Sequence, residues 1–321
     1  MKLGVMSPVL YHKSFEEALE YLHNLGVQTI EIGAGGYPGN THLNPKEVLG
    51  NDKKIAEIKD LLKKYKLEIS AISCHGNPLH PDKETAEKFH NDFKEAILVA
   101  EALGIDTIIG FSGCPGSDES AQKPNWVTCA WPTDFAEILE WQWNKKVIPY
   151  WKDMAQFAKA HSIKKIAFEM HPGFVVYNPA TLLRLRAAVG DIIGANFDPS
   201  HLFWQGIDPV CAIKALKGAI YHFHAKDTKI DEYETAVNGV LDTKTLADIS
   251  GRSWLFRTVG YGHGKEVWNN IISALKMVGY DGAISIEHED ALMSPEEGLE
   301  KAISFLKDTL IFENAGDMWW V

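Results

Sequence analysis

The chain has 321 residues, 45% hydrophobic and 23% charged, and a formal net charge of −11. That length fits one large α/β domain or two smaller ones, and the acidic balance argues against a phosphate-backbone partner, which wants a basic surface. Cys74, Cys114, Cys129 and Cys211 form no CxxC pair, which excludes a disulfide framework and a zinc ribbon and makes a reducing cytoplasm the expected setting; no apolar run approaches the roughly 18 residues of a membrane helix.

Lys2–Ser7 reads as a first strand, not a signal peptide. Ser14 before Phe15-Glu16-Glu17 is an N-cap with an acidic first turn, and Leu19, Leu22 and Leu25 carry helical spacing up to Gly26. Val27–Ile32 is a second strand, followed by a glycine-rich loop. Asn44-Pro45 opens a helix running through Ile58, Leu61 and Leu62. Leu67–Cys74 is the third strand, Thr85–Leu103 a helix and Asp106–Phe111 the fourth strand. Ser117–Thr133, with Trp126 and Trp131, is irregular and long enough for a lid or binding loop. Phe135–His161 is helical and carries Trp141, Trp143 and Trp151. Lys165–Met170, Ile193–Phe197 and Ile220–Ala225 are strands five to seven, separated by helices at Pro179–Val189 and Asp208–Leu216. An insertion, Thr228–Leu255, precedes Arg257. Gly264–Met277 is a helix, Ala283–Ile286 the eighth strand and Pro295–Phe312 the last helix. The tail Met318-Trp319-Trp320-Val321 is expected to pack on its own barrel or on a neighbouring subunit.

Alternating strands and helices imply parallel βαβ units, and eight of them imply a closed (β/α)8 TIM barrel. It is expected to be one domain over residues 1–321, with extended loops on its C-terminal face. A doubly wound open sheet is the runner-up; the absence of GxGxxG after the first strand weakens its dinucleotide-binding form.

The barrel gathers the C-terminal ends of its strands around one site. Strand five delivers Glu169, strand six Asp198, strand seven His224 and strand eight Glu287. In the run Tyr221-His222-Phe223-His224, both histidines face the same side, since strand side chains alternate. Three carboxylates and an imidazole at one place read as a divalent metal site, with Mn²⁺ or Mg²⁺ suiting the carboxylates and the imidazole admitting Co²⁺ and Zn²⁺. Without a cation the carboxylates would repel one another strongly.

On these residues the chain resembles the xylose-isomerase-like barrel superfamily of sugar isomerases and epimerases, over nearly its whole length. The resemblance is carried by Ser73-Cys74-His75-Gly76-Asn77-Pro78, Phe168-Glu169-Met170-His171, Phe197-Asp198-Pro199-Ser200-His201, His222-Phe223-His224-Ala225-Lys226-Asp227 and Ser285-Ile286-Glu287-His288-Glu289-Asp290. It implies that Glu169, Asp198, His224 and Glu287 bind the metal, foremost Mn²⁺, and that Glu169 and Glu287 double as the acid/base pair. It further implies that His201 and Arg257 contact substrate and that His75 and His171 line the pocket, with His75 alternatively bracing a metal ligand. Lys226-Asp227 reads either as a site feature or as a salt-bridged loop anchor. The expected partner is a small sugar or keto-sugar and the expected state a homo-oligomer.

Four functions compete. The foremost is a metal-dependent sugar isomerase or epimerase working through an enediolate. The second is a lyase or dehydratase that uses the same enolisation on a keto-sugar, keto-inositol or 3-keto-glycoside. An apurinic-site endonuclease shares the barrel but needs more ligands and a basic track. A non-catalytic sugar-binding barrel does not require two carboxylates flanking a metal. The long segments Ser117–Trp151 and Thr228–Leu255 depart from compact epimerases. Their tryptophans read either as stacking surfaces over a sugar or as oligomer packing.

Overall fold

Short runs rich in Ile, Val, Ala and Phe cannot bury themselves alone, and in this chain eight of them close into one sheet. The computed structural model describes residues 1–321. The strands are β1 (Lys2–Met6), β2 (Thr29–Gly33), β3 (Glu68–Ser73), β4 (Thr107–Gly110), β5 (Lys165–Glu169), β6 (Ile193–Phe197), β7 (Ile220–Ala225), β8 (Asp227–Ile230), β9 (Trp254–Arg257) and β10 (Ala283–Ile286). β1 to β7 and β10 form a closed parallel barrel, with β10 between β7 and β1. β8 and β9 form a separate antiparallel ribbon that closes the two ends of the segment read as an insertion.

The helices follow local signals. Ser14 closes a capping box with Glu17, and Asn178 caps the helix Pro179–Val189 in the same reciprocal way. The helix expected from Asn44 breaks at Leu49–Asn51, giving Pro45–Val48 and Asp52–Tyr65, the second capped by Asn51. The expected helix Phe135–His161 runs as Thr133–Trp141, a π-helical turn over Gln142–Val147, and Ile148–Ala160. That turn buries Gln142, whose amide donates to the carbonyls of Pro115, Gly116 and Asn125. The long loop after β4 is therefore pinned to the barrel.

Two register slips lie beside the site. Pairing of β2 with β3 shifts between Ile30 and Glu31, skipping Ser70. Pairing of β6 with β7 shifts between Ala195 and Asn196, skipping Tyr221. Bulges of this kind re-aim side chains next to functional sites. After the second slip His222 and His224 both point inward and are buried.

Of the two places expected for the tail, its own barrel is excluded, since Trp319 is 86% and Trp320 66% exposed; the neighbouring subunit is left. The tryptophans do not line the cleft described below. Trp143, Trp151 and Trp268 are core residues, Trp204 stacks on Trp254 at 4.6 Å, and Trp131 projects into solvent. No helix is long and apolar enough to cross a membrane.

Candidate metal centre

A cleft of about 630 Å³ opens at the C-terminal face of the barrel. Glu169, Glu287, His75, His171, His288 and Glu289 form its polar lining, and Tyr37, Phe111 and Phe174 its aromatic wall. Phe111 and Phe174 stack at 4.2 Å. Gly36 permits this wall: its φ is +67°, and a Cβ there would sit 1.9 Å from the His75 carbonyl oxygen. That close approach lets the Tyr37 N–H donate to the same carbonyl at 2.7 Å.

At the cleft floor, ligand atoms of Glu169, Asp198, His224 and Glu287 all lie within 4.8 Å of one another. The structure thus brings together the four residues expected from the strand ends. Asp198 accepts the Ser200 N–H on Oδ1, at 2.8 Å, and turns Oδ2 to the cage. His224 Nδ1 lies 3.3 Å from Glu169 and 3.1 Å from Glu287. Asp198 Oδ2 and His224 Nδ1 are buried and make no well-formed hydrogen bond, although Oδ2 lies 3.2 Å from the Lys226 ammonium. Buried polar atoms are rarely left so. These two atoms, converging with two further carboxylates, fit a divalent cation and its preference for oxygen and imidazole ligands.

The charges are set by the surroundings. Burial alone would raise the Glu169 carboxyl, but the facing imidazoles of His201, His224 and His75 outweigh it and hold it well below the ordinary carboxylate range. Burial likewise opposes ionisation of Glu287, and the Lys226 ammonium overcomes it. Asp198 is pushed up by burial, with Lys226 and His201 opposing. Burial would lower His224, yet Glu31 and Glu287 raise it well above the usual imidazole range. A cation at the cage would take the place of that proton.

The flanking residues behave differently from one another. His201 Nε2 donates to Glu169 Oε1 at 2.9 Å and is fully buried, so it orients Glu169. His75 Nε2 is 3.0 Å from Glu169 Oε2 but out of line, leaving both ring nitrogens buried and unpartnered. His171 lines the cleft, and burial and the nearby His201 push it down to about 3. Arg257, on β9, donates from Nε to Asp290 at 3.0 Å. Through that one nitrogen it ties the ribbon to the loop that follows Glu287.

Glu31 is a residue of the site that the sequence does not single out, and Lys226 is one it leaves between a site feature and a loop anchor. Glu31, at the bulge of β2, is wholly buried and accepts from Ser73 Oγ (2.7 Å), Ser285 Oγ (2.9 Å) and His224 Nε2 (2.9 Å). Burial would raise its carboxyl, but His224 and His222 hold it at about 2. Lys226 continues the inward face after His224 and donates to Glu287 at 2.8 Å and Glu289 at 2.9 Å. The Lys226–Asp227 salt bridge, one of the two readings of that dipeptide, does not form. Asp227 points the other way and accepts the N–H groups of Gly260, Gly262 and His263, the His263 ring and the Trp268 indole, organising the loop after β9.

Comparison with known proteins agrees with this architecture. Residues 13–309 match the family model described as xylose isomerase-like TIM barrel. The chain is 40% identical over 313 residues to the uncharacterized protein YfiH of Bacillus subtilis (strain 168), covering 97% of this chain and 99% of that one. Among solved structures, the probable 3-DHS dehydratase AsbF from Bacillus anthracis superposes with a TM-score of 0.66 at 18% identity, over 96% of this chain and 99% of its own. The 3-keto-D-glucoside 4-epimerase YcjR from E. coli gives 0.65 at 13% identity, over 96% and 99%. The IolI protein with a bound zinc atom gives 0.65 at 17%, over 97% and 98%. The chain belongs to the xylose isomerase-like TIM barrel family.

Proposed function

We propose that the protein is a divalent-metal-dependent sugar isomerase or epimerase that moves a proton on a carbon next to a carbonyl, through an enediolate. The observation that carries this reading is the meeting of two cleft-lining carboxylates, Glu169 and Glu287, in one cage with Asp198 and His224. A divalent ion held by those four side chains, foremost Mn²⁺ with Mg²⁺, Co²⁺ or Zn²⁺ as other candidates, supplies Lewis acidity towards a carbonyl and its neighbouring hydroxyl oxygen. Glu169, ionised and held on one oxygen by His201, removes the proton from carbon. Glu287, held by Lys226 and first protonated from solvent through the cleft it lines, returns that proton on the opposite face, and Glu169 releases the abstracted proton to solvent. Acid and base work of this kind contributes on the order of 10²–10⁴-fold. His75, with two buried and unpartnered nitrogens, and His171 offer partners for sugar hydroxyls. Arg257 serves this site by holding the loop after Glu287 through Asp290. The four free cysteines support a cytoplasmic setting, and the exposed Trp319 and Trp320 support self-association.

A second reading is a lyase that begins with the same proton abstraction and then expels a group. The cleft favours it: about 630 Å³ with a stacked Phe111–Phe174 wall suits a ligand larger than one free ketose. The fold neighbours named as a dehydratase and as a 3-keto-glucoside epimerase are consistent with either outcome.

The test is NMR of the Mn²⁺-loaded protein in D₂O with ketoses, inososes and 3-keto-glycosides. Deuterium at the carbon next to the carbonyl with the skeleton retained supports the isomerase or epimerase. Loss of water or an aglycone supports the lyase, and no exchange on any substrate by a metal-loaded protein refutes both.

A further inference from the structure

Lys226 is an ammonium placed where an ion-binding cage would not be expected to tolerate one. It is 2% exposed, and its Nζ lies 2.8 Å from Glu287 Oε2, 3.2 Å from Asp198 Oδ2 and 2.9 Å from Glu289 Oε2. Two of its three partners belong to the cage. Glu287 Oε2 also lies 3.1 Å from His224 Nδ1, so one oxygen faces both the ammonium and the imidazole. The third partner, Glu289, stands outside the cage on the cleft wall and is half exposed. The side chain runs under Phe256, whose ring centre is 4.7 Å from Nζ.

Burying a charge is costly unless it is paired, so the position of Lys226 is defined by these carboxylates. Without a divalent ion, Glu169, Asp198 and Glu287 set three negative charges against one imidazole, and like charges at this range repel. The ammonium offsets part of that repulsion. With a divalent ion present, the ion and the ammonium together balance the three carboxylates, whereas the ion alone would leave one negative charge in excess. The ammonium therefore also opposes the ion, by repulsion and by sharing oxygens with it. Glu289 gives Nζ an anchor to keep when the ion takes Glu287 and Asp198.

We propose that Lys226 is the resident counter-cation of the cage: it holds the carboxylates together when no divalent ion is bound and keeps a bound ion exchangeable. This rests on the metal reading above. The test uses the 321-residue chain, wild type and Lys226→Met, with Mn²⁺ titrated by calorimetry and thermal melts taken with and without Mn²⁺. The variant binds Mn²⁺ at least about tenfold more tightly. Its metal-free form melts several degrees lower, and Mn²⁺ restores most of that loss. A variant that does not fold without metal and folds when refolded in Mn²⁺ gives the same support, and one that Mn²⁺ does not rescue overturns the proposal. Unchanged melting of the metal-free form, or Mn²⁺ affinity equal to or weaker than wild type, also overturns it while leaving the metal reading intact. A wild-type protein that takes up no Mn²⁺ overturns both.

Discussion

Replacing Glu31 by Gln is a sensitive probe of the cage, because it changes no proposed ligand. Glu31 accepts three hydrogen bonds, one of them from His224 Nε2 at 2.9 Å. With a cation in place of the second ring proton, that bond would fix the tautomer: Nε2 keeps the hydrogen and Nδ1 turns its lone pair to the cage. A glutamine has one acceptor oxygen and one NH₂ group. If its NH₂ faces His224, the imidazole must turn its lone pair to Nε2 and carry its hydrogen on Nδ1, towards the carboxylates, where it blocks a cation. If its oxygen faces His224 and Ser285, the NH₂ must face the hydroxyl of Ser73, and the imidazole loses a charged acceptor. Loss of such partners costs about 10–100-fold in metal affinity, or about 1.4–2.7 kcal/mol. Calorimetric titration of Mn²⁺ reads this directly. Ser285→Ala, which removes one donor to Glu31 without touching the tautomer, should stay within about threefold of wild type. Glu31→Gln binding within the same threefold would refute the orienting role.

Glu169→Gln and Glu287→Gln should each lose more than about tenfold of deuterium exchange while folding normally by circular dichroism; a variant keeping more than a tenth of wild-type exchange would remove that residue from proton transfer. His224→Ala should lower Mn²⁺ content measured by elemental analysis, and unchanged content would refute its role as a ligand. His222 is buried, bonded to Asn196 and Ser70, and burial sets it at about 4. Because that lies below its unfolded value near 6.5, the unfolded chain binds more protons as pH falls from 6.5 to 4, and stability drops through that window by an amount on the order of 3 kcal/mol. Urea melts of metal-free protein should show a shallower loss over this range in His222→Gln, and an identical slope in the variant would show that His222 is not the cause.

The parts of the site legible in the sequence are those that depend on strand period and strand ends. Glu169, Asp198, His224 and Glu287 each sit where an apolar run stops, and barrel closure alone brings such ends together. Glu31 escaped notice because it lies inside Thr29-Ile30-Glu31-Ile32-Gly33, where alternation leaves its direction open. A register slip at that residue then aims it at a histidine 193 positions away. Adjacency leaves open a Lys226–Asp227 salt bridge, but neighbouring residues on an extended backbone point to opposite sides. Lys226 therefore continues the inward row of His222 and His224, while Asp227 turns to the loop at Gly260–His263. The tryptophans misled for a related reason. Trp143 and Trp151 lie on a helical segment whose π-turn resets the face presented to the core, and that turn has no signal in the residue pattern. The break at Leu49–Asn51, by contrast, has a local signal in Gly50, at φ +74°, and the Asn51 cap.

The most direct test of the account is the anomalous scattering of Mn²⁺ in crystals of the metal-loaded protein. The account predicts one strong peak per chain, bounded by Glu169, Asp198, His224 Nδ1 and Glu287, with Lys226 Nζ still on Glu289. A fully loaded crystal with no peak there, or with its manganese elsewhere, would contradict the metal cage and the chemistry built on it.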